Sequence, residues 1–290
     1  MADMEGVFQQ MIALVTGADG QLGEAVVKTL EERGHEVITT NRQNMDITDE
    51  RAVADLFSCR DMEAVIHCAA YTNVEKAEEE RKICGNVNII GTENIAKWCE
   101  RKKIKMVYVS TDYVFDGVGN IPYGISEEKR PLNMYGWSKH MGEEIVRKKV
   151  TKYFVVRTSW VFGNSENDFV NKMCRLSQQT EEIKVVDDQC GRPTYVKDLA
   201  EFLVDMVETE KYGVYHVANQ GECTWYEFAK EIFKQLGKEM KVIPVSGKEF
   251  LQKARRPSDS RLDCSVLIER GFKQLPHWKD GLKRYLGGKR

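Results

Sequence analysis

Tyr135 and Lys139 stand four residues apart in Pro131-Leu-Asn-Met-Tyr-Gly-Trp-Ser-Lys139, a spacing that puts two side chains on one face of a helix. A phenol beside an ammonium has its ionised form favoured, so it gives or takes a proton near neutral pH more readily than an isolated phenol of pKa about 10. The pair therefore reads as acid/base machinery. The motif is short, and its weight comes from a glycine-rich strand-turn signal upstream, at residues 12–23. The other reactive residues carry no comparable pattern. The eight cysteines lack Cys-x-x-Cys spacing and several fall in apolar runs, which points to buried thiols in a reducing compartment. The five histidines are equally dispersed, and no metal site is read from them.

The elements that must hold this pair follow from periodicity. Ile12-Ala-Leu-Val15 reads as a strand, Thr16 to Gly23 as a tight turn, and the stripe Leu22, Val26, Val27, Leu30 as a helix ending at Gly34. Further apolar strands begin at Glu36-Val-Ile-Thr-Thr40, Ala64-Val-Ile-His-Cys-Ala-Ala70, Met106-Val-Tyr-Val-Ser110 and Phe154-Val-Val-Arg157, with helical segments such as 86–101 between them. Such alternation predicts an α/β fold, a Rossmann-type doubly wound parallel sheet covered on both faces. After residue 160 the pattern loosens into a helix over 167–178, a strand over 183–186, a helix over 196–210, and a helix over 225–236. The last carries the stripe Trp225, Phe228, Ala229, Ile232, Phe233, Leu236, which reads as core packing. The expected division is a dinucleotide-binding domain over 1–162, to which 196–222 return, and a smaller mixed α/β substrate-binding region over 163–290. Residues 1–10 read as a loosely held leader.

Gly17, Gly20 and Gly23 follow the first strand directly. Glycine is needed there for the turn, for close approach of backbone to a pyrophosphate, and for packing of the helix whose N-terminal amides face the anion. The whole turn is assigned to the cofactor, with Asp19, Gln21 and Leu22 between the glycines. Arg42 follows the second strand, where an adenosine ribose would lie, and no acidic residue ends that strand to grip a 2'-hydroxyl. An arginine there suits a 2'-phosphate, which favours NADPH over NADH; a solvated arginine is the alternative. Asp46, with Ile47 beside it, is placed for the adenine edge or for capping a turn.

The glycine turn, the string Ser110-Thr-Asp-Tyr-Val-Phe-Asp-Gly117 and the Tyr/Lys pair together resemble the extended short-chain dehydrogenase/reductases. More narrowly, His67-Cys-Ala-Ala-Tyr-Thr72, Arg157-Thr-Ser-Trp-Val-Phe-Gly163, Asp187-Asp-Gln-Cys-Gly-Arg-Pro-Thr-Tyr195 and Arg255-Arg-Pro-Ser-Asp-Ser-Arg-Leu-Asp263 resemble the dTDP-4-dehydrorhamnose reductases, over roughly residues 11–286. The resemblance implies reduction of the C4 ketone of a dTDP-linked 4-keto-6-deoxy sugar, with Tyr135 as proton donor, Lys139 as ribose-binding lysine and Thr111 as a hydroxyl bonding the substrate oxygen. It implies Ala69, Ala70 and Tyr71 as the loop over the cofactor. Its substrate contacts are Val74, Thr111, Asp112, Tyr113, Trp160, Asn167 and Arg256, with Asp168 standing where relatives often repeat asparagine. Monomers or homodimers are both expected.

In that chemistry hydride reaches the carbonyl carbon while a proton reaches its oxygen, and Tyr135 and Thr111 supply donors to the growing alkoxide. No metal is required. Asp187 and Asp188 are adjacent, and nothing pairs them across a substrate as a glycosidase requires. Lysine and arginine number 43 against 45 acidic residues, so there is no electrostatic footprint for nucleic acid. The N-terminus shows neither a signal peptide nor an apolar span, and a cytoplasmic location without membrane contact is expected. Two alternatives share the cofactor half: a nucleotide-sugar epimerase or dehydratase that retains NAD, for which Asp112 would be the added acid, and a catalytically silent, cofactor-binding regulatory subunit.

Overall fold

The computed structural model describes residues 10–250 and 252–288; most of the expected leader lies outside them. Six parallel strands form the main sheet: β1 (Ile12–Thr16), β2 (Glu36–Thr40), β3 (Ala64–His67), β4 (Lys105–Thr111), β5 (Tyr153–Thr158) and β10 (Gly213–His216), in the order β10-β5-β4-β3-β1-β2. The chain moves outward from β1 to β2, then returns to the other side of β1 for β3. That reversal opens a crevice at the carboxyl ends of β1 and β3, the place where such sheets bind ligands. The glycine turn leaves β1 there. Helix α1 (Gln21–Glu32) follows it, and its buried stripe Ala25, Val26, Thr29, Leu30 packs with α8 (Val196–Val207) on one face of the sheet. The other face is covered by α2 (Glu50–Cys59), α5 (Thr92–Lys102) and α6 (Met134–Lys149), around Phe57, Ile95, Tyr108 and Val146.

The helical span expected over 86–101 is present, with its first turns wound as a π-helix. Two short helices, α3 (Val74–Ala77) and α4 (Arg81–Gly85), lead into a π-helical turn at Asn86–Gly91, and only then does α5 begin. A π turn is a register shift within a helix and is found most often at functional sites. Here it aims Asn88 inward. The remaining chain builds three two-stranded pairs: β6 (Val161–Phe162) with β9 (Thr194–Tyr195), β7 (Glu182–Val186) with β12 (Lys241–Val245), and β8 (Cys190–Gly191) with β11 (Cys223–Thr224). They are completed by α7 (Phe169–Leu176), α9 (Trp225–Leu236), α10 (Ser265–Glu269) and α11 (Trp278–Gly287). Helix α8 and strand β10 lie with the main sheet. Among the described residues no helix is long and apolar enough to cross a membrane. Cys59 is exposed, unlike the buried thiols expected.

Candidate active site

A cavity of about 870 Å³ runs across the crevice, lined by the turn after β1, the ends of β2 and β3, residues 109–112, Tyr135, Lys139 and residues 158–161. Its floor requires glycine. Gly17 has φ +64°, and a Cβ there would stand 2.7 Å from Ala69 Cα; a Cβ on Gly23 would stand 2.1 Å from the Gly17 carbonyl oxygen. Neither backbone can yield, so the turn, the β3 loop and α1 meet only because side chains are missing. Asp19, Gly20, Gln21, Leu22, Arg42, Asp46, Ile47, Ala69, Ala70 and Tyr71 all line the same cavity. This groove, with the first amides of α1 opening onto it, fits a dinucleotide pyrophosphate. Asp46 is also a turn cap, accepting from Thr48 N and Oγ1 at 2.9 and 2.8 Å.

Tyr135 and Lys139 occupy the first turns of α6, whose N-cap Asn133 accepts from Gly136 N at 2.8 Å. Thr111 ends β4, with its hydroxyl in hydrogen-bonding reach of the Tyr135 phenol. That hydroxyl donates to Asp112 Oδ1 at 3.0 Å and accepts from Tyr113 N at 3.2 Å. Sequence spacing suggested that the lysine would favour the phenolate. Burial decides otherwise: it pushes the Tyr135 phenol up, with only partial relief from Thr111, and holds the Lys139 ammonium down to about 7 against the pull of Glu143. Both shifts favour the neutral forms of the pair. Burial also raises Asp112 to about 6, against the lowering effect of hydrogen bonds from Ser260 and Thr111.

The other residues assigned to substrate are divided. Trp160 lines the cavity with φ +48°, stacked on Trp225 at 3.6 Å between ring centres. Gly191 lies against it, where a Cβ would come within 2.4 Å of the indole. Val74, Tyr113, Asn167 and Arg256 are outside the cavity wall. Tyr113 packs edge-on against Tyr135, Val74 opens α3, and Arg256 Nη2 is paired with Glu75 at 2.6 Å. Asn167 is exposed, whereas Asp168 is buried and caps α7, accepting from Asn171 N at 2.8 Å and Gly163 N at 2.9 Å.

Three supporting groups escaped the sequence reading. Asn88 holds both backbone groups of Tyr71, at 2.8 and 3.1 Å, and donates to Ser138 on α6 at 2.8 Å; the π turn that aims it leaves no periodic signal. Glu143 and Arg157 form a fully buried pair at 2.7 Å, with Ser110 donating to the same carboxylate at 2.6 Å. Their signals were present: Glu143 lies four residues beyond Lys139, and Arg157 interrupts an apolar strand.

Comparison with known proteins agrees with this geometry. A family model described as the RmlD substrate binding domain matches residues 11–289. The spore coat polysaccharide biosynthesis protein SpsK of Bacillus subtilis (strain 168) is 38% identical over 94% of this chain and 96% of its own. A dTDP-4-keto-6-deoxy-D-glucose reductase of Streptomyces niveus is 36% identical over 93% of this chain and 94% of its own. The crystal structure of dTDP-4-dehydrorhamnose reductase from Bacillus anthracis strain Ames in complex with NADP superposes with a TM-score of 0.94, at 40% identity, over 97% of this chain and 100% of that one. With its glycine turn, its Tyr/Lys helix and this match along nearly its whole length, the chain belongs to the RmlD family of dTDP-4-dehydrorhamnose reductases, NAD(P)H-dependent enzymes of the extended short-chain dehydrogenase/reductase superfamily.

Proposed function

We propose that this protein reduces the C4 ketone of dTDP-4-dehydro-β-L-rhamnose to give dTDP-L-rhamnose, with NADPH as the reductant and Tyr135 as the proton donor. The observation that carries this reading is the convergence of Thr111, Tyr135 and Lys139 in the cavity that begins at the glycine turn. The dinucleotide, when bound, supplies the hydride. Gly17, Gly20 and the first turn of α1 would hold its pyrophosphate, Arg42 its 2'-phosphate, and Lys139 a ribose hydroxyl. Tyr135 delivers its phenolic proton to the ketone oxygen. The phenolate left behind is stabilised by the Thr111 hydroxyl and by the Lys139 charge across the helix face. Trp160 and Asp112 border the sugar, and Arg256 would meet the diphosphate once it leaves Glu75. The same chemistry on the unepimerised sugar is a second reading, favoured by the name of the Streptomyces niveus relative. We place the enzyme in the cytoplasm.

The test is loss of NADPH absorbance on adding enzymatically prepared dTDP-4-dehydro-β-L-rhamnose, with the product sugar identified and Tyr135→Phe run in parallel. Turnover to dTDP-L-rhamnose is expected, falling about 10²- to 10⁴-fold in the variant with dinucleotide affinity retained. Firm dinucleotide binding without turnover of either sugar would reject the reading and favour an epimerase with retained NAD or a regulatory role.

A further inference from the structure

Lys139 is a buried cation, 3% exposed, and among the described residues no carboxylate forms an ion pair with it. Glu143, one turn further along α6, is bound instead to Arg157 at 2.7 Å. What faces the ammonium is the ring of Tyr108 on β4, its centroid 4.1 Å from Nζ. Tyr108 is itself fully buried, and its hydroxyl donates to the Lys139 carbonyl at 3.2 Å. A Cβ on Gly142 would stand 2.1 Å from that hydroxyl. This accounts for a glycine inside a helix, at a cost of about 1 kcal/mol relative to alanine. The ring stacks on His67 at 5.9 Å, whose two nitrogens bond Thr16 and Thr92.

We propose that Tyr108 is a positioning residue for Lys139: its ring face stabilises the buried ammonium and its hydroxyl fixes the lysine backbone, so that a π-system stands where a carboxylate counter-ion would be expected. The inference deepens the reductase reading and rests on it for its catalytic consequence. A carboxylate would take up the N–H groups of Lys139 in directed hydrogen bonds, whereas a ring face stabilises the charge without such a bond, and Lys139 still lines the cavity. The other groups facing the lysine do not compete. Burial pushes the Cys68 thiol up to about 12 and the Cys84 thiol upward, raises the Tyr135 phenol, and holds His67 down to about 3. All four are uncharged at pH 7, and the Glu143 carboxylate is shared with Arg157 and Ser110.

The test follows the lysine directly, by titrating ¹³Cε-labelled lysine in the full chain by NMR without cofactor or substrate, the Lys139 signal being identified by its loss in Lys139→Met. Tyr108→Phe keeps the ring and loses the hydroxyl. Tyr108→pentafluorophenylalanine keeps the ring shape and reverses the charge of its face. The Phe variant is expected to titrate within about 0.3 of wild type, and the fluorinated one about one unit lower, a tenfold change in proton affinity. The basic limb of kcat/KM should move by the same amount. Equal midpoints for the two variant rings would overturn the proposal, as would a fall in the Phe variant as large as in the fluorinated one. Because the titration needs no substrate, its failure is separable from that of the reductase reading, which would show as a normal titration without turnover.

Discussion

Removing one member of the buried Glu143–Arg157 pair should cost far more than half of what removing both costs. Each side chain is fully buried. Arg157 donates to Glu143 through Nε at 2.9 Å and Nη2 at 2.7 Å, and through Nη1 to the Ile125 carbonyl at 3.0 Å, with His216 Nε2 at 3.2 Å. Arg157→Met strands a carboxylate in the interior, and Glu143→Met strands a guanidinium; loss of one partner from a buried pair costs about 3–5 kcal/mol. In the double variant no charge is stranded. The groups left short of a partner are Ser110 Oγ, the Ile125 carbonyl and His216 Nε2, three neutral groups at about 1–1.5 kcal/mol each, the low end of the usual range, whose combined loss comes to about 3–5 kcal/mol. The singles therefore sum to about 6–10 kcal/mol and the double to about half of that, a coupling of about 3–5 kcal/mol. Urea midpoints measured at equal m-values give the cycle. Additivity to within about 0.5 kcal/mol would refute the claim that the two charges exist for each other.

Three further outcomes follow from the same geometry. Burial holds Lys139 down to about 7, against about 10.4 in an unfolded chain. The unfolded state thus binds more protons between these values, stability rises with pH across that window, and the cost is fully present below it. Lys139→Met should therefore raise the urea midpoint at pH 7 and flatten its pH slope while activity falls at least about 100-fold; a lower midpoint would reject the cost assigned to the buried charge. Gly17→Ala, at φ +64° and with its Cβ 2.7 Å from backbone, should lose about 1–2 kcal/mol to strain and weaken dinucleotide binding at least about tenfold, read by fluorescence titration. Arg42→Ala should raise KM for NADPH by about tenfold, the 1–2 kcal/mol of one charge-assisted contact, and leave that for NADH unchanged; equal effects on both would remove Arg42 from the 2'-phosphate.

Periodicity carried the fold because the central strands β1, β3, β4 and β5 are largely buried and read as continuous apolar runs. Glu36–Thr40 and Trp225–Leu236 have the same bounds in pattern and in structure. Elsewhere it failed for identifiable reasons. A π turn conserves helical composition while shifting register, so the change of winding at Asn86–Gly91 is invisible to an apolar stripe. Helix α7 starts at Phe169 because Asp168 caps it, and the residue noted as a departure from relatives is thus a cap. Four-residue spacing reports the proximity of Tyr135 and Lys139 along a helix and says nothing of depth, so the opposing effect of burial was not legible in it. Burial pushes the phenol and the ammonium in opposite directions, each toward its neutral form.

The inward face of α6 explains why these details matter to function. It buries Ser138, Lys139 and Glu143 beside only a few apolar groups, an arrangement a hydrophobic stripe would surpass in stability. Each polar group has its own partner on a different element: Ser138 meets Asn88 of the π turn, Lys139 meets the ring of Tyr108 on β4, and Glu143 meets Arg157 on β5 together with Ser110 on β4. Apolar contacts are non-directional and tolerate small rotations of a helix, whereas hydrogen bonds and ion pairs weaken steeply with misalignment. Contacts at successive turns fix both the rotation of α6 and its height along the sheet. Tyr135 projects from that same helix, and in the proposed reaction its phenol must meet a ketone held by other elements, where a displacement of about 1 Å would cost about 100-fold in rate. The stability given up by burying these groups is thereby converted into placement of one hydroxyl.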